Sequence, residues 1–515
     1  IINLYHEIYY FPFIMKIFTL RSLRVTLAVI FFLSITLLFL DFTGTVHKWL
    51  GWMAKIQFLP ALLALNVGVV VGLVVLTLLF GRIYCSVICP LGVMQDGFAW
   101  LGKKSKKNRY SYSPAKNILR WIMLGLMGVA IVLGIGAFVA LFAPYSAYGR
   151  IAQSFLSPIW LWGNNLLAYL AERQESYAFY TVDVWMRGAV TMIVAGVTLV
   201  ALAILAWRNG RTYCNTICPV GTVLGFFSKY SLFRPVIDTS KCNGCGLCAR
   251  NCKAACIDSK THTIDYSRCV DCMDCIGKCH KQAITYSLRT KQPKTSENIS
   301  GKEAAAVDSG RRQFFAITAL AGAAAAMKAQ DKVDGGLAEI IDKKAPVRKT
   351  PIVPPGAQGI RNLTSHCTAC QLCVSACPNG VLRPSTDLER LMQPESSYER
   401  GYCRPECTRC SDVCPAGAIK PITVADKSSI QIGHAVWVKQ NCVPLTDGVE
   451  CGNCARHCPV GAIQMILSDP ANEESVKIPV VNTERCIGCG ACENLCPARP
   501  FSAIYVEGHE NHRTI

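Results

Sequence analysis

Histidine is scarce in this chain: nine among 515 residues, and none within the four long apolar runs Arg24–Leu40, Leu59–Phe80, Ile118–Ala143 and Met186–Trp207. A b-type haem held by two membrane histidines is therefore not expected. No C-x-x-C-H string occurs, so c-type haem is not expected either. Acidic residues are also few, 34 against 53 basic ones, for a formal charge of +19. The imbalance is local. Residues 361–515 hold 14 Lys/Arg and 16 Asp/Glu, summing to −2, so +21 falls on the first 360. It gathers beside the apolar runs, at Lys16, Arg21 and Arg24, at Arg82, Lys103, Lys104, Lys106, Lys107, Arg109 and Lys116, and at Arg208, Arg211, Lys229 and Arg234. No nucleic-acid-binding motif accompanies this charge, and no nucleic-acid partner is expected.

What is present explains the charge. Each of the four runs has the length and the near absence of charge of a membrane-crossing helix. Basic residues flanking the first run, between the second and third, and after the fourth follow the positive-inside bias. The expected fold is an α-helical membrane bundle of four transmembrane helices over residues 15–235, joined to α+β ferredoxin-like domains. Asn66, polar within the second run, is either a helix–helix contact or a hydrogen-bond partner for a quinone.

Cysteine is abundant, with 29 residues, of which 24 form six sets of four. Five read C-x2-C-x2-C-x3-C or nearly so: Cys242/Cys245/Cys248/Cys252, Cys269/Cys272/Cys275/Cys279, Cys367/Cys370/Cys373/Cys377, Cys403/Cys407/Cys410/Cys414 and Cys486/Cys489/Cys492/Cys496. The sixth, Cys442/Cys451/Cys454/Cys458, has a longer first gap. This spacing suits four-iron clusters, the fourth cysteine commonly serving the neighbouring cluster. Structural zinc favours two separated C-x2-C pairs, and disulfide frameworks favour short secreted domains. Six [4Fe–4S] clusters are expected. A proline follows the last cysteine in the four C-terminal sets, whereas Lys253 and His280 stand there in the first two. Cys256 is left over and reads as a buried apolar filler.

The sets divide the chain. Residues 236–290 form a two-cluster ferredoxin module and 361–515 a four-cluster domain. The linker 291–360 contains Arg311-Arg312-Gln313-Phe314-Phe315 and an Ala-rich run within 309–327. Paired arginines before a short apolar run read as an internal twin-arginine export signal. Retained, that run makes a fifth short crossing and leaves the four-cluster domain outside the cytoplasm. The string Gly81-Arg82-Ile83-Tyr84-Cys85-Ser86-Val87-Ile88-Cys89-Pro90 recurs as Gly210-Arg211-Thr212-Tyr213-Cys214-Asn215-Thr216-Ile217-Cys218-Pro219. Each copy follows an apolar run, the second and the fourth. Cys85, Cys89, Cys214 and Cys218 are therefore expected at one membrane face, with a redox or metal role.

Four spans, two such strings and a two-cluster tail over residues 15–290 resemble the NapH membrane quinol dehydrogenases of periplasmic nitrate reductase systems. Residues 309–515, with the arginine pair, Pro354-Pro355-Gly356-Ala357 and four clusters, resemble their exported NapG ferredoxin partners. The resemblance implies an inner-membrane protein that takes electrons from the quinol pool and passes them to a reductase or cytochrome outside the cytoplasm. It implies a cytoplasmic two-cluster module and a periplasmic four-cluster domain. An accessory electron donor for metalloenzyme maturation, or ferredoxin–quinone exchange in the cytoplasm, would use the same motifs.

Overall fold

The computed structural model describes residues 20–104, 110–289 and 341–515. The Arg311-Arg312 segment and its apolar run lie outside them. The helices that carry the first half are α1 (Leu20–Leu40), α2 (Val67–Phe80), α3 (Pro90–Lys104), α4 (Asn117–Val132), α5 (Pro144–Ile151), α6 (Ala189–Asn209) and α7 (Pro219–Ser228).

Among the described residues, α1 and α6 are long and apolar enough to cross a membrane. Only 28% and 22% of their apolar stretches are buried. The other two runs do not form single long helices. Leu59–Phe80 is interrupted at Leu65, which turns left-handed (φ 53°), leaving Phe58–Leu63 and the 14-residue α2 on either side. Asn66 is exposed and caps α2, its Oδ1 accepting from the Val69 N–H at 3.3 Å. A cap of this kind satisfies a backbone donor that the helix start leaves orphaned. The Asn66 side-chain oxygen thus serves the helix start rather than a neighbouring helix. Ile118–Ala143 is likewise broken at Gly134 (φ 70°), between α4 and a short helix Gly136–Phe142. Hydropathy averages cannot see such single-residue turns, because the breaking residues are themselves apolar or small.

The outward faces of α1, α2, α4 and α6 remain apolar, with Leu33, Val67, Ile118, Val132, Ile193 and Val197 each more than half exposed. The interior is polar where the two repeated strings meet. Arg82, Arg150 and Arg211 are fully buried there.

Both cluster regions are built from short ladders rather than broad sheets. In the two-cluster module Phe233–Ile237 pairs antiparallel with Ile284–Leu288, and Ile257–Asp258 with Thr263–Ile264. In the four-cluster domain Leu382–Pro384 pairs with Pro394–Ser396, Ile430–Trp437 with Ile504–Thr514, and Ile463–Leu467 with Lys477–Val481.

The two cluster regions sit at opposite ends of α1. At its start, Arg21 pairs with Asp274 of the two-cluster module at 2.7 Å. Beyond its end, Arg409 of the four-cluster domain donates to the Phe42 carbonyl at 3.2 Å. A helix of 21 residues separates them, which at the α-helical rise is roughly 30 Å.

Candidate metal centres and a buried thiol group

The ferredoxin motifs share one backbone device. The residues on either side of the second cysteine are left-handed in four of the sets: Gly244 and Gly246, Asp271 and Met273, Ala369 and Gln371, Gly488 and Gly490. Successive turns of that sense curl the chain and aim its N–H groups at a common centre, as an anionic cluster requires. The four non-glycine residues accept conformations that L side chains disfavour, a strain characteristic of functional sites.

The folded chain also regroups the cysteines. One cavity of about 140 Å³ is lined by Cys242, Cys245, Cys248 and Cys279. A second, of about 20 Å³, is lined by Cys252, Cys269, Cys272 and Cys275. Each set therefore lends its fourth cysteine to the other. In the four-cluster domain Cys414 acts on Cys367, Cys370 and Cys373, while Cys377 acts on Cys403 and Cys410. Cys458 lines a cavity with Cys486, Cys489 and Cys492, and Cys496 acts on Cys442 and Cys454. The four sets thus pair sequentially, first with second and third with fourth.

Cys407 and Cys451 differ from what their motifs lead one to expect. Each is the second cysteine of its set, yet the structure does not present either one as it presents Cys245, Cys272, Cys370 and Cys489. Neither Cys407 nor Cys451 is flanked by left-handed residues. The physical reason is the longer first gap, three residues before Cys407 and eight before Cys451. A wider loop reaches the second cysteine without the tight double turn that a two-residue gap imposes. Both thiols still stand with their sets: Cys407 acts on Cys403 and Cys410, and Cys451 acts on Cys442 and Cys454. Lys427, buried beside this loop, donates to the Cys407 carbonyl at 2.5 Å, a side-chain tie where the other sets use backbone curl.

These residues fit iron–sulfur clusters. Backbone N–H groups point at ligand sulfurs, from Ala283 to Cys279 and Ala462 to Cys458 at 3.2 Å, from Ala503 to Cys496 at 3.3 Å and from Ile419 to Cys414 at 3.4 Å. Burial, with neighbouring thiolates, pushes Cys370 and Cys489 up to about 12 and Cys454 to about 11. Such thiols ionise at neutral pH only when a cation is supplied, which is what iron does. Among the described residues no three His, Cys, Asp or Glu side chains stand at the spacing of a single-ion site. A polynuclear cluster holds its thiolates farther apart than one ion does.

Cys256 is buried, but it is not an apolar filler. Its sulfur lies 3.5 Å from that of Cys252, and it lines the same cavity as the four ligands. A hydrogen bond from Cys256 holds the Cys252 thiol down, to about 6.

Cys85, Cys89, Cys214 and Cys218 are brought together, each no more than 6% exposed. Cys218 is acted on by the other three. The arrangement has an approximate two-fold character that the sequence repeat alone does not reveal. Arg82 Nη2 donates to the Cys85 sulfur at 3.7 Å and crosses to the Cys214 carbonyl at 3.1 Å. Arg211 Nη1 donates to the Cys214 sulfur at 3.8 Å and crosses to the Cys85 carbonyl at 2.7 Å. The crossing requires two glycines outside the quoted strings. A Cβ on Gly92 would sit 2.2 Å from the Cys85 carbonyl oxygen, and one on Gly221 2.3 Å from that of Cys214. Both glycines stand two residues after the motif proline, a repeat feature that extends the string to Cys-Pro-x-Gly.

The two-cluster module docks on this group. The Arg82 N–H donates to the Asp271 carboxylate at 2.9 Å, and the Arg211 N–H to the Lys253 carbonyl at 2.7 Å. Lys253 Nζ reaches Asp96 at 2.8 Å and Asp274 at 3.3 Å, while Arg211 Nε holds Asp96 at 2.6 Å and Arg24 also pairs with it. Three cations hold the Asp96 carboxyl well below the usual carboxylate range despite its burial. Asp96, Gln95 and Asp271 were not singled out by sequence. The signal for Lys253 was the missing proline after Cys252.

On the opposite side the four-cluster domain approaches through α5. A Cβ on Gly149 would lie 2.3 Å from the Cys370 carbonyl oxygen. Arg150, buried next to it, is acted on by Tyr213 and Cys370, and Tyr213 belongs to the second thiol string.

Comparison with known proteins agrees with the cysteine chemistry. A family described as a 4Fe-4S binding domain matches residues 62–108 and 189–238, another of that description matches 363–383, and a 4Fe-4S dicluster domain matches 449–499. An uncharacterized protein of Methanocaldococcus jannaschii is 34% identical over 19% of this chain and 38% of its own length. The putative electron transport protein YccM of Escherichia coli is 28% identical over 45% of this chain and 58% of its own. The ferredoxin-type protein NapH of the same organism is 25% identical over 45% of this chain and 70% of its own. The chain thus spans less than two thirds of the first two relatives. No solved structure matches. With 4Fe-4S domains matched in both halves, the chain is similar to ferredoxin-type proteins of the NapH kind.

Proposed function

We propose that the chain is a membrane-bound quinol dehydrogenase that relays electrons through six [4Fe–4S] clusters to a reductase outside the cytoplasm. The observation that carries this reading is the placement of two cluster-bearing regions at opposite ends of α1. Basic residues gather at the two-cluster end, where Arg21, Arg24 and Lys253 meet Asp96 and Asp274. The positive-inside bias makes that end cytoplasmic, and the four-cluster domain then faces outward, in line with an export signal at Arg311-Arg312. The four runs of the bundle enter and leave the bilayer with α2 and α4 as shortened, broken crossings.

In this reading quinol gives up two electrons and two protons to become quinone. Cys85, Cys89, Cys214 and Cys218, where the bundle meets the two-cluster module, would link the quinol to the clusters, which would accept its electrons one at a time. The clusters supply one-electron carriers; the protein positions them and sets their potentials through sulfur hydrogen bonds. The test uses sealed vesicles containing the full chain. Added quinol should bleach the cluster absorbance, an impermeant oxidant on the four-cluster side should restore it, and the double variant Cys85→Ser/Cys89→Ser should abolish the bleaching. Quinol-independent clusters, or oxidant access from the other side only, would sink the reading.

A soluble reduced carrier as donor is a second reading, favoured by the exposure of Cys245 on the two-cluster module. Bleaching by a reduced ferredoxin, but not by quinol, would select it.

A further inference from the structure

The charges around the thiol group do not balance. Arg24, Arg82, Arg120 and Arg211 and Lys253 are all at most 7% exposed. With Arg268, also buried, they face four carboxylates, Asp96, Asp265, Asp271 and Asp274. Arg82 has no carboxylate on its guanidinium: its partners there are the Asn215 side chain at 2.8 Å, two carbonyl oxygens and the Cys85 sulfur. Arg82 Nε and Arg211 Nη2 are buried without a partner. Leaving cations uncompensated in a dry interior is strongly destabilising, so this excess calls for an anion.

The sulfurs stand where they can supply it, and they are dressed as ligands. Gln95 Nε2 lies 3.4 Å from the Cys214 sulfur, and the Gly221 N–H points at the Cys218 sulfur at 3.4 Å. The latter repeats the N–H to sulfur bonds that mark the ferredoxin ligands of this same chain. Cys89 and Cys218 each precede the first residue of a helix, α3 and α7, where the helix dipole favours thiolate.

We infer that Cys85, Cys89, Cys214 and Cys218 jointly ligate a seventh iron–sulfur cluster, one additional to the six in the ferredoxin motifs. A doubly positive iron–sulfur core held by four thiolates is a dianion, which offsets the excess of the six cations over the four carboxylates. Each matched 4Fe-4S segment, 62–108 and 189–238, contributes two of these cysteines, so neither segment can complete a four-thiolate site without the other. A single ion does not suit the group, since no three such side chains among the described residues have single-ion spacing.

The position gives this cluster a task. Asp271, between Cys269 and Cys272, touches the Arg82 backbone on one side. Tyr213 and Arg150 lead to Cys370 on the other. The seventh cluster bridges the two regions: one electron enters its core from one neighbouring cluster and leaves to the next, and no bond is made or broken. The inference stands apart from the quinol reading, because its readouts need no quinol.

The experiment compares the anaerobically purified full chain with the double variant Cys214→Ser/Cys218→Ser. Iron and acid-labile sulfide should fall together by two or by four per chain, and one paramagnetic signal should vanish while the ferredoxin signals persist. Unchanged iron, or copper or zinc in place of iron, overturns the inference. Two further measurements keep it testable if that variant does not fold. An iron anomalous map of the wild-type protein should show density between the four sulfurs; a map with iron at the ferredoxin sites and none here overturns it. In Arg82→Gln the signal should remain at full intensity with a more negative midpoint potential, and no shift in any signal counts against it.

Discussion

The two cluster-bearing regions are made from the same motif yet attach to the helical bundle by opposite means. The two-cluster module docks through buried charge: Asp96 and Asp274 share Lys253, Arg211, Arg24 and Arg21. The four-cluster domain docks through carbonyls and an aromatic clamp. Arg409 reaches the Phe42 carbonyl, Arg187 reaches that of Val374, and Trp185 stacks against Arg383 at 4.8 Å and Arg400 at 5.0 Å. One substitution in the motif contributes to the difference. Where the four-cluster domain keeps proline after the last cysteine, the two-cluster module has Lys253, whose carbonyl and ammonium both bind the bundle. A ferredoxin motif can thus be turned into an anchor without touching its ligands.

Breaking the charged attachment should have the largest effect. Asp96→Asn leaves Lys253, Arg211 and Arg24 without their shared carboxylate, a loss of about 3–5 kcal/mol by analogy with broken buried pairs. Thermal melting followed by cluster absorbance should show early release of the two-cluster module. An unchanged transition would mean that Asp274 alone holds it.

Steric probes should come next and should separate the two regions. In Gly490→Ala the new Cβ would meet the Tyr398 ring at 2.2 Å, at a φ of 78°. In Gly92→Ala it would meet the Cys85 carbonyl and Arg211. Each should lose about 1–3 kcal/mol by overpacking, the first destabilising only the four-cluster domain and the second only the thiol group. Spectra of the individual clusters would check the separation.

Removing the aromatic clamp should matter less. Trp185→Ala is expected to weaken docking of the four-cluster domain by about 0.5–2 kcal/mol, read as faster proteolysis at that junction with the two-cluster module still protected.

The smallest effect is a pH slope. Burial lowers His512 from 6.5 to about 4, so the folded four-cluster domain keeps it neutral while the unfolded chain protonates it. Its contribution is full above pH 6.5, declines as the pH falls, and levels off below about 4. His512→Gln should flatten the acid side of the stability profile, and an unaltered slope would assign that slope elsewhere.

The candidate ligands were legible because cluster spacing is local: cysteines three residues apart can reach one metal core whatever surrounds them. Cys407 and Cys451 mark where that legibility weakens. Their longer gaps leave the path to the second cysteine undetermined, and the structure brings both to their sets without the left-handed turns of the other four. The broken helices were not legible, since Leu65 and Gly134 carry no hydropathy signal for a left-handed turn. Cys256 was misjudged for a related reason. Its burial was foreseeable, but its closeness to Cys252 depends on a turn through Ala255 (φ 51°).

By itself, the sequence determined the chemistry: thiols in iron–sulfur spacing, apolar runs with basic flanks, and a duplicated Arg-x-Tyr-Cys-x3-Cys-Pro string. Only the tertiary structure decided which fourth cysteine serves which trio, that Arg82 and Arg211 cross between the repeats, and that Lys253 anchors one module while Trp185 holds the other. These are contacts between residues far apart in the chain. Their geometry is set by packing and by the need to compensate buried charge, and neither is encoded in local spacing.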